Sequence, residues 1–312
     1  MKVKSLTLKG MQIKNNVFLA PMAGYTDYAI RRLQLEQGAG LTFTELVSAK
    51  GLVYGGNGSK DLLYSGSDIK NTAVQLFGAD PYFMRTACES EHLKDFEIVD
   101  INMGCPVPKV FKNGEGSALL TDINLAERIV KECVKSGKIV TVKIRTGQKV
   151  GEDIATEYCK MAEQSGASLV TIHGRVRESY YSGEPDFNAI ERAKKSVNIP
   201  IIANGGIFTE QDADLMIDRT GADGVMLARG AIANPFLVAS LTGTKTDKNL
   251  KEYIIRHVEL MREIYPDNKA NVEFRKFVPY YFKGMSGMKD LKLKLVSTNS
   301  TQEIIKLITE EF

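Results

Sequence analysis

The chain has 312 residues, 43% of them hydrophobic and 25% charged, with a formal net charge of only +3 and no long low-complexity run. That is the composition of a soluble globular protein, long enough for two ordinary domains or for one barrel of about 250 residues plus an appendage. It holds no apolar run long enough to span a bilayer and no signal-peptide-like N-terminus, its four cysteines form no CxxC pair, and its charge is too small to announce nucleic-acid binding. The expectation is a cytoplasmic protein with reduced thiols, no membrane and no metal.

Short apolar, β-branched runs recur along the chain, separated by amphipathic helical patterns. Eight are predicted as strands: residues 17–20, 41–44, 73–77, 98–102, 140–144, 169–173, 201–204 and 224–228. Each interval between starts is long enough for one strand, one helix and two loops. Parallel strands need crossover helices and eight close a sheet, so the pattern predicts an α/β fold, a (β/α)8 TIM barrel, over residues 1–241. Leu125, Ile129 and Cys133 share one helical face, and Ala155, Cys159 and Ala162 another, which makes two of the cysteines core residues. Cys88 lies in a similar segment, so Cys105 is by elimination the one thiol placed in a loop.

After Pro235 the alternation stops. A polar link over 242–249 leads into helical patterns, and a small C-terminal helical domain is expected over 242–312. Residues 1–243 hold 28 basic and 28 acidic side chains, whereas residues 244–312 hold 13 and 10, so the whole excess lies in the tail. Within 275–294 six basic residues face the single Asp290, a basic patch.

In such a barrel chemistry sits at the C-terminal ends of the strands. Pro21-Met22-Ala23, Gln75, Asn102 and Cys105, Lys143 and Arg145, His173 and Arg175, Asn204-Gly205-Gly206 and Ala228-Arg229-Gly230 all map to that rim. The NGGI and ARG stretches over 204–207 and 228–230 suit a phosphate, since glycines admit backbone N–H groups close to an anion and Arg229 adds a charge-assisted contact. A plainer reading, tight strand-to-helix turns, also fits the glycines. Taken singly, His173 and Lys143 also fit structural roles. There is no GxGxxG after a strand and no GxxxxGK[ST], which disfavours a Rossmann dinucleotide or a P-loop nucleotide. A flavin mononucleotide suits better, partly by analogy: Pro21, Met22 and Ala23 offer a platform for the ring, Gln75 a hydrogen bond to its pyrimidine edge, and Lys143 a charge opposite the reduced ring.

The motifs APMAGYTD (20–27), VQLFG (74–78), DINMGCP (100–106), VKIR (142–145), HGR (173–175), NGGI, LARG (227–230) and EFRK with YYFKG (273–284) resemble, in that order, those of tRNA-dihydrouridine synthases, with the bacterial B-type most similar. The resemblance covers nearly the whole chain. It implies FMN contacts at Pro21, Met22, Ala23, Gln75, Lys143, His173, Asn204, Gly205, Gly206, Ala228 and Arg229, with Cys105 as proton donor. It further implies NADPH as transient reductant, tRNA as substrate and no obligate protein partner. The uracil and RNA side would then fall to Asn102, Arg175, Arg177, Arg275, Lys276, Lys283, Lys289, Lys292 and Lys294, with the tail cations tracking phosphates between aromatic residues. One departure is visible: Phe277, Val278, Pro279, Tyr280 and Tyr281 stand where HxxWY-like residues are expected. Two other readings stand beside this one, a flavin barrel of dihydroorotate dehydrogenase type acting on a free pyrimidine and a barrel that only binds RNA. The first needs no basic tail, and the second needs neither Cys105 nor Lys143.

Overall fold

The computed structural model describes residues 1–56 and 62–312. An antiparallel hairpin comes first, β1 (Leu6–Leu8) and β2 (Met11–Ile13), turned at Lys9-Gly10 with both φ angles positive. The following strands are β3 (Val17–Leu19), β4 (Thr42–Phe43), the short β5 (Val47–Ser48), β6 (Thr72–Phe77), β7 (Ile98–Met103), β8 (Ile139–Arg145), β9 (Leu169–His173), β10 (Ile201–Asn204) and β11 (Gly224–Leu227). Eight of them lie in the order β3-β11-β10-β9-β8-β7-β6-β4, all pairs parallel, and β5 adds a second pairing to β6. A parallel bridge between Phe18 and Leu41, with Leu19 N–H donating to Leu41 O at 3.0 Å, closes the round into a barrel.

Each strand expected from sequence is present, with ends displaced by no more than one residue. The reason is burial on both faces, which leaves parallel strands as near-continuous apolar runs: β9 and β10 are buried at every position. The crossover helices start where a side chain can accept the first free N–H groups, as at Asp122 before Ile123–Lys135 and Asp186 before Phe187–Ser196. Cys88, Cys133 and Cys159 are fully buried on these helices, as their stripe requires.

The hairpin was not among the expected elements. Leu6, Leu8 and Ile13 pack with Phe18, Phe43, Ile98, Ile139, Leu169 and Ile202, plugging the N-terminal end of the barrel with apolar side chains. This confines polar interior residues to the other end.

Beyond the helix Leu237–Thr242 the chain forms Leu250–Ile264, Asp267–Phe274, Val278–Tyr281, Lys289–Ser297 and Thr301–Glu311. This helical region shares one continuous apolar core with the barrel. Gln34 on the first barrel helix, Tyr28–Glu36, donates to Tyr253 Oη at 3.0 Å, and Arg256 meets Glu36 at 3.3 Å. An aromatic knot of His257, Phe274, Phe277 and Tyr281 fills the centre of the region. Tyr25, on the loop after β3, packs edge-on against both Phe277 and Tyr280.

Candidate active site

Side chains alternate along each strand, so every second residue points into the barrel. Above the apolar floor these inward positions turn polar: Asp100 and Asn102 on β7, Thr141 and Lys143 on β8, His173 on β9, Asn204 on β10 and Gln75 on β6. Register then pairs them, Gln75 with Asp100, Asn102 with Lys143 and Asn204 with His173. Over this layer opens a cavity of about 370 Å³ lined by the loops at the strand ends. That volume is in the range of small-molecule and cofactor sites.

Pro21, Met22, Ala23, Gln75, Asn102, Cys105, Lys143, His173, Arg175, Asn204, Gly205, Gly206, Ala228 and Arg229, all expected at the site, line this one cavity. Arg177 stands outside the lining, its guanidinium stacked on Phe111 at 3.7 Å. The tail residues lie apart from it too. Arg275 donates to Thr298 O at 2.8 Å, Lys276 pairs with Glu273, and Lys294 pairs with Glu311 at 2.7 Å. Lys283 and Lys289 are exposed, Lys292 is half-buried, and none of the three makes an ion pair among the described residues.

Among the described residues the lining contains Lys143, Arg145, Arg175 and Arg229 but no carboxylate. Burial, with Arg145 beside it, pushes the Lys143 ammonium down to about 8. His173 is held well below its ordinary value by burial and by the surrounding cations, so its imidazole is neutral. Lys143 Nζ donates to Asn204 Oδ1 at 3.1 Å, and Asn204 Nδ2 donates in turn to Met226 O at 2.7 Å. A site so charged attracts anions.

Cys105 sits on the loop leaving β7 and is only 8% exposed. Its own N–H donates to Asn102 Oδ1 at 2.9 Å, and its carbonyl accepts from Ser117 N–H at 3.1 Å. Burial pushes the thiol up, against the opposing pull of the Val107 N–H, Arg145 and Lys143, so it stays protonated. Arg145 pins the same loop by donating to Gly104 O at 2.8 Å and ties it to the loop after β9 through Val176 O at 3.1 Å and Tyr180 O at 2.8 Å.

The residues fit a phosphate-bearing flavin. Gly205 has φ +114°, and a Cβ there would lie 2.8 Å from His173 Cδ2 and 3.0 Å from Arg175 Nη1. Gly230 is tighter still, because its Cβ would lie 2.0 Å from the Ile207 carbonyl oxygen. Only backbone without side chains can form this cradle between the ends of β10 and β11, with Arg175 and Arg229 at its edge. Met22 and Ala23, on the loop after the neighbouring β3, add apolar lining.

Sequence reasoning left Asp100, Thr141, Tyr181 and Tyr25 without a role here and took Arg145 no further than the rim. Tyr181 and Tyr280 line the cavity, and Tyr181 lies beneath Arg229 at 4.6 Å and stacks on His173. Inward parity with Asn102 was the available signal for Asp100. Tyr181 had none, since its partners, Arg145 on β8, His173 on β9 and Arg229 after β11, stand far apart in sequence.

A family model described as "Dihydrouridine synthase (Dus)" matches residues 18–311. The tRNA-dihydrouridine synthase B of Pasteurella multocida is 39% identical over 284 residues, covering 88% of this chain and 86% of its own length. The corresponding protein of Vibrio parahaemolyticus is 34% identical over 282 residues, with 87% and 88% covered. Among solved structures, a 2-naphthoyl-CoA reductase bound to 2-naphthoyl-CoA superposes with a TM-score of 0.60 at 12% identity, over 78% of this chain and 52% of that one, a likeness of fold.

Proposed function

The chain belongs to the dihydrouridine synthase family, and we propose that it reduces uridines in tRNA to 5,6-dihydrouridine, with FMN bound at the barrel mouth and NADPH as its reductant. The observation that carries this reading is a buried, protonated Cys105 sharing one cavity with Lys143 and a glycine-and-arginine cradle. Reduction saturates C5=C6 of uracil, which is conjugated with the C4 carbonyl, so hydride enters at C6 and a proton at C5. A reduced flavin, when bound, supplies the hydride.

The protein supplies the rest. Cys105 gives its proton to C5, and the thiolate left behind is stabilised by Lys143 and Arg145 until water reprotonates it. Asn102 commits its oxygen to the loop N–H groups and one Nδ2 proton to Gln75, leaving its second Nδ2 proton for the base. Gly205, Gly206, Gly230, Arg175 and Arg229 would hold the phosphate, and neutral His173 lies beside them, its Nε2 accepting from Arg175 Nη1 at 3.4 Å. The target base must be unstacked to enter this cavity at the barrel mouth. We assign docking of the surrounding RNA to residues 242–312, with Lys283, Lys289 and Lys292 against phosphates. The free-pyrimidine alternative leaves this region without a task.

Purified protein is expected to carry flavin absorbance, and Cys105→Ala to keep FMN and its reduction by NADPH while losing dihydrouridine formation. The substrate is tRNA from a strain lacking the gene, read by nucleoside mass spectrometry. Undiminished dihydrouridine in the variant overturns the role of Cys105, and a colourless protein that refuses added FMN overturns the cofactor.

A further inference from the structure

Asp100 is fully buried in the barrel interior and meets no cation in an ion pair among the described residues. Thr141 Oγ1 donates to its Oδ1 and Gln75 Nε2 to its Oδ2, each at 2.6 Å. Gln75 Oε1 accepts from Asn102 Nδ2 at 2.7 Å, and Asn102 Oδ1 accepts from the N–H groups of Gly104 at 3.2 Å and Cys105 at 2.9 Å. An unbroken chain of side chains therefore runs from a buried carboxylate to the backbone of the loop that carries the thiol.

We propose that Asp100 is a positioning residue: its acceptor-only carboxylate fixes the direction of this chain and so holds the Cys105 loop in register over the cavity. A carboxylate offers no donor, so Gln75 must turn its NH2 toward Asp100 and its carbonyl toward Asn102. Asn102 must then turn its NH2 toward Gln75, which leaves its carbonyl for the two loop N–H groups. Reversing Asn102 sets an NH2 against the backbone N–H of Cys105, and reversing Gln75 sets its carbonyl against the Asp100 carboxylate. An asparagine at position 100 would fill nearly the same volume without the cost of a buried charge, yet it would leave both orientations open. Burial raises the carboxyl to about 6 even against the hydrogen bonds from Gln75 and Thr141 and the charge of Lys143, a penalty that packing does not require.

The proposal rests on Cys105 as the reacting thiol, but thiol alkylation reports on the loop whether or not Cys105 donates a proton. Flavin-loaded wild type, D100N, N102D and the exchange D100N/N102D are treated with iodoacetamide, and each cysteine is followed by peptide mass spectrometry. Each single variant is expected to alkylate Cys105 about tenfold faster, D100N because the chain loses its fixed direction and N102D because two carboxylates then compete for the one Gln75 NH2 and push the side chain at position 102 out of place. Cys88, Cys133 and Cys159, fully buried on helices, keep their wild-type rates unless the whole fold loosens.

The exchange restores the pattern. The amide then at position 100 donates to Gln75 Oε1, Gln75 Nε2 donates to the carboxylate then at position 102, and that carboxylate accepts from both loop N–H groups. Its Cys105 rate should return to within about threefold of wild type. A single variant that alkylates at the wild-type rate, or an exchange as fast as the singles, overturns the proposal. Should D100N fail to fold, a folded exchange with a protected Cys105 supports the proposal, and an exchange that also fails overturns it.

Discussion

Replacing Gly230 by Ala would place a methyl group 2.0 Å from Ile207 O, 3.1 Å from Ile207 C and 3.2 Å from Phe208 Cα. All three are backbone atoms, so no rotamer change relieves the clash. Carbon–oxygen contacts settle near about 3.3 Å, and the two cradle loops must therefore part by about 1 Å. Gly224→Ala is the matched control. At the opposite end of β11 its Cβ would lie 2.3 Å from Asn16 O and 2.7 Å from Asn16 Cβ, away from the cradle. Overpacking of this kind costs about 1–3 kcal/mol, so both variants should unfold at lower temperature. Only Gly230→Ala should also lose FMN affinity, by about thirtyfold or roughly 2 kcal/mol, when apo-protein is titrated with the cofactor and flavin fluorescence is followed. Equal FMN affinity in the two variants would refute the cradle.

Acid sensitivity and RNA contact give further tests. His257 is buried in the aromatic knot beside Tyr281 Oη at 2.7 Å, and burial, with Lys276 second, pushes it down to about 3. Its folded value lies below its unfolded value, so its contribution is complete above about pH 6.5 and falls by about 1.4 kcal/mol per pH unit as the pH drops toward 3. Urea unfolding should therefore show the stability gap between wild type and His257→Gln shifting by about 2 kcal/mol between pH 7 and pH 5, in favour of the variant. Asp27 and Asp100, both raised to about 6 by burial, act in the opposite sense, losing stability as pH rises toward that value, but they are common to both proteins and cancel. Parallel curves would remove His257 as the acid-sensitive group. Charge reversal at Lys283, Lys289 and Lys292 together should weaken tRNA binding and flatten the dependence of log affinity on log salt by about two to three units. Lys294→Ala, which removes the partner of Glu311, should change that slope less, and an equal effect from it would shift the docking face.

The barrel could be read along the chain because its grammar is local. A strand buried on both faces shows as an apolar run at its own positions, as in VTI of β9, and the spacing between runs is set by the crossover each parallel pair requires. Once eight strands are granted, the placement of Gln75, Asn102, Cys105, Lys143, His173 and Asn204 at one mouth follows from the fold. The hairpin plug was hidden, since its strands are three residues each, separated by Lys9-Gly10 and interrupted at their centres by polar Thr7 and Gln12. Which polar group answers which was hidden as well. Asp100 meets Gln75 and Thr141, Arg145 reaches Gly104, Val176 and Tyr180, and Tyr25 meets Phe277 and Tyr280, through stagger between strands and the seating of the helical region, which no local period records. Apolar residue type decided by itself which runs lie in the core, because hydrophobic burial acts on one residue at a time. Hydrogen-bond direction and the protonated state of Cys105 depended on groups distant in sequence, and only closure of the barrel brought those groups within reach.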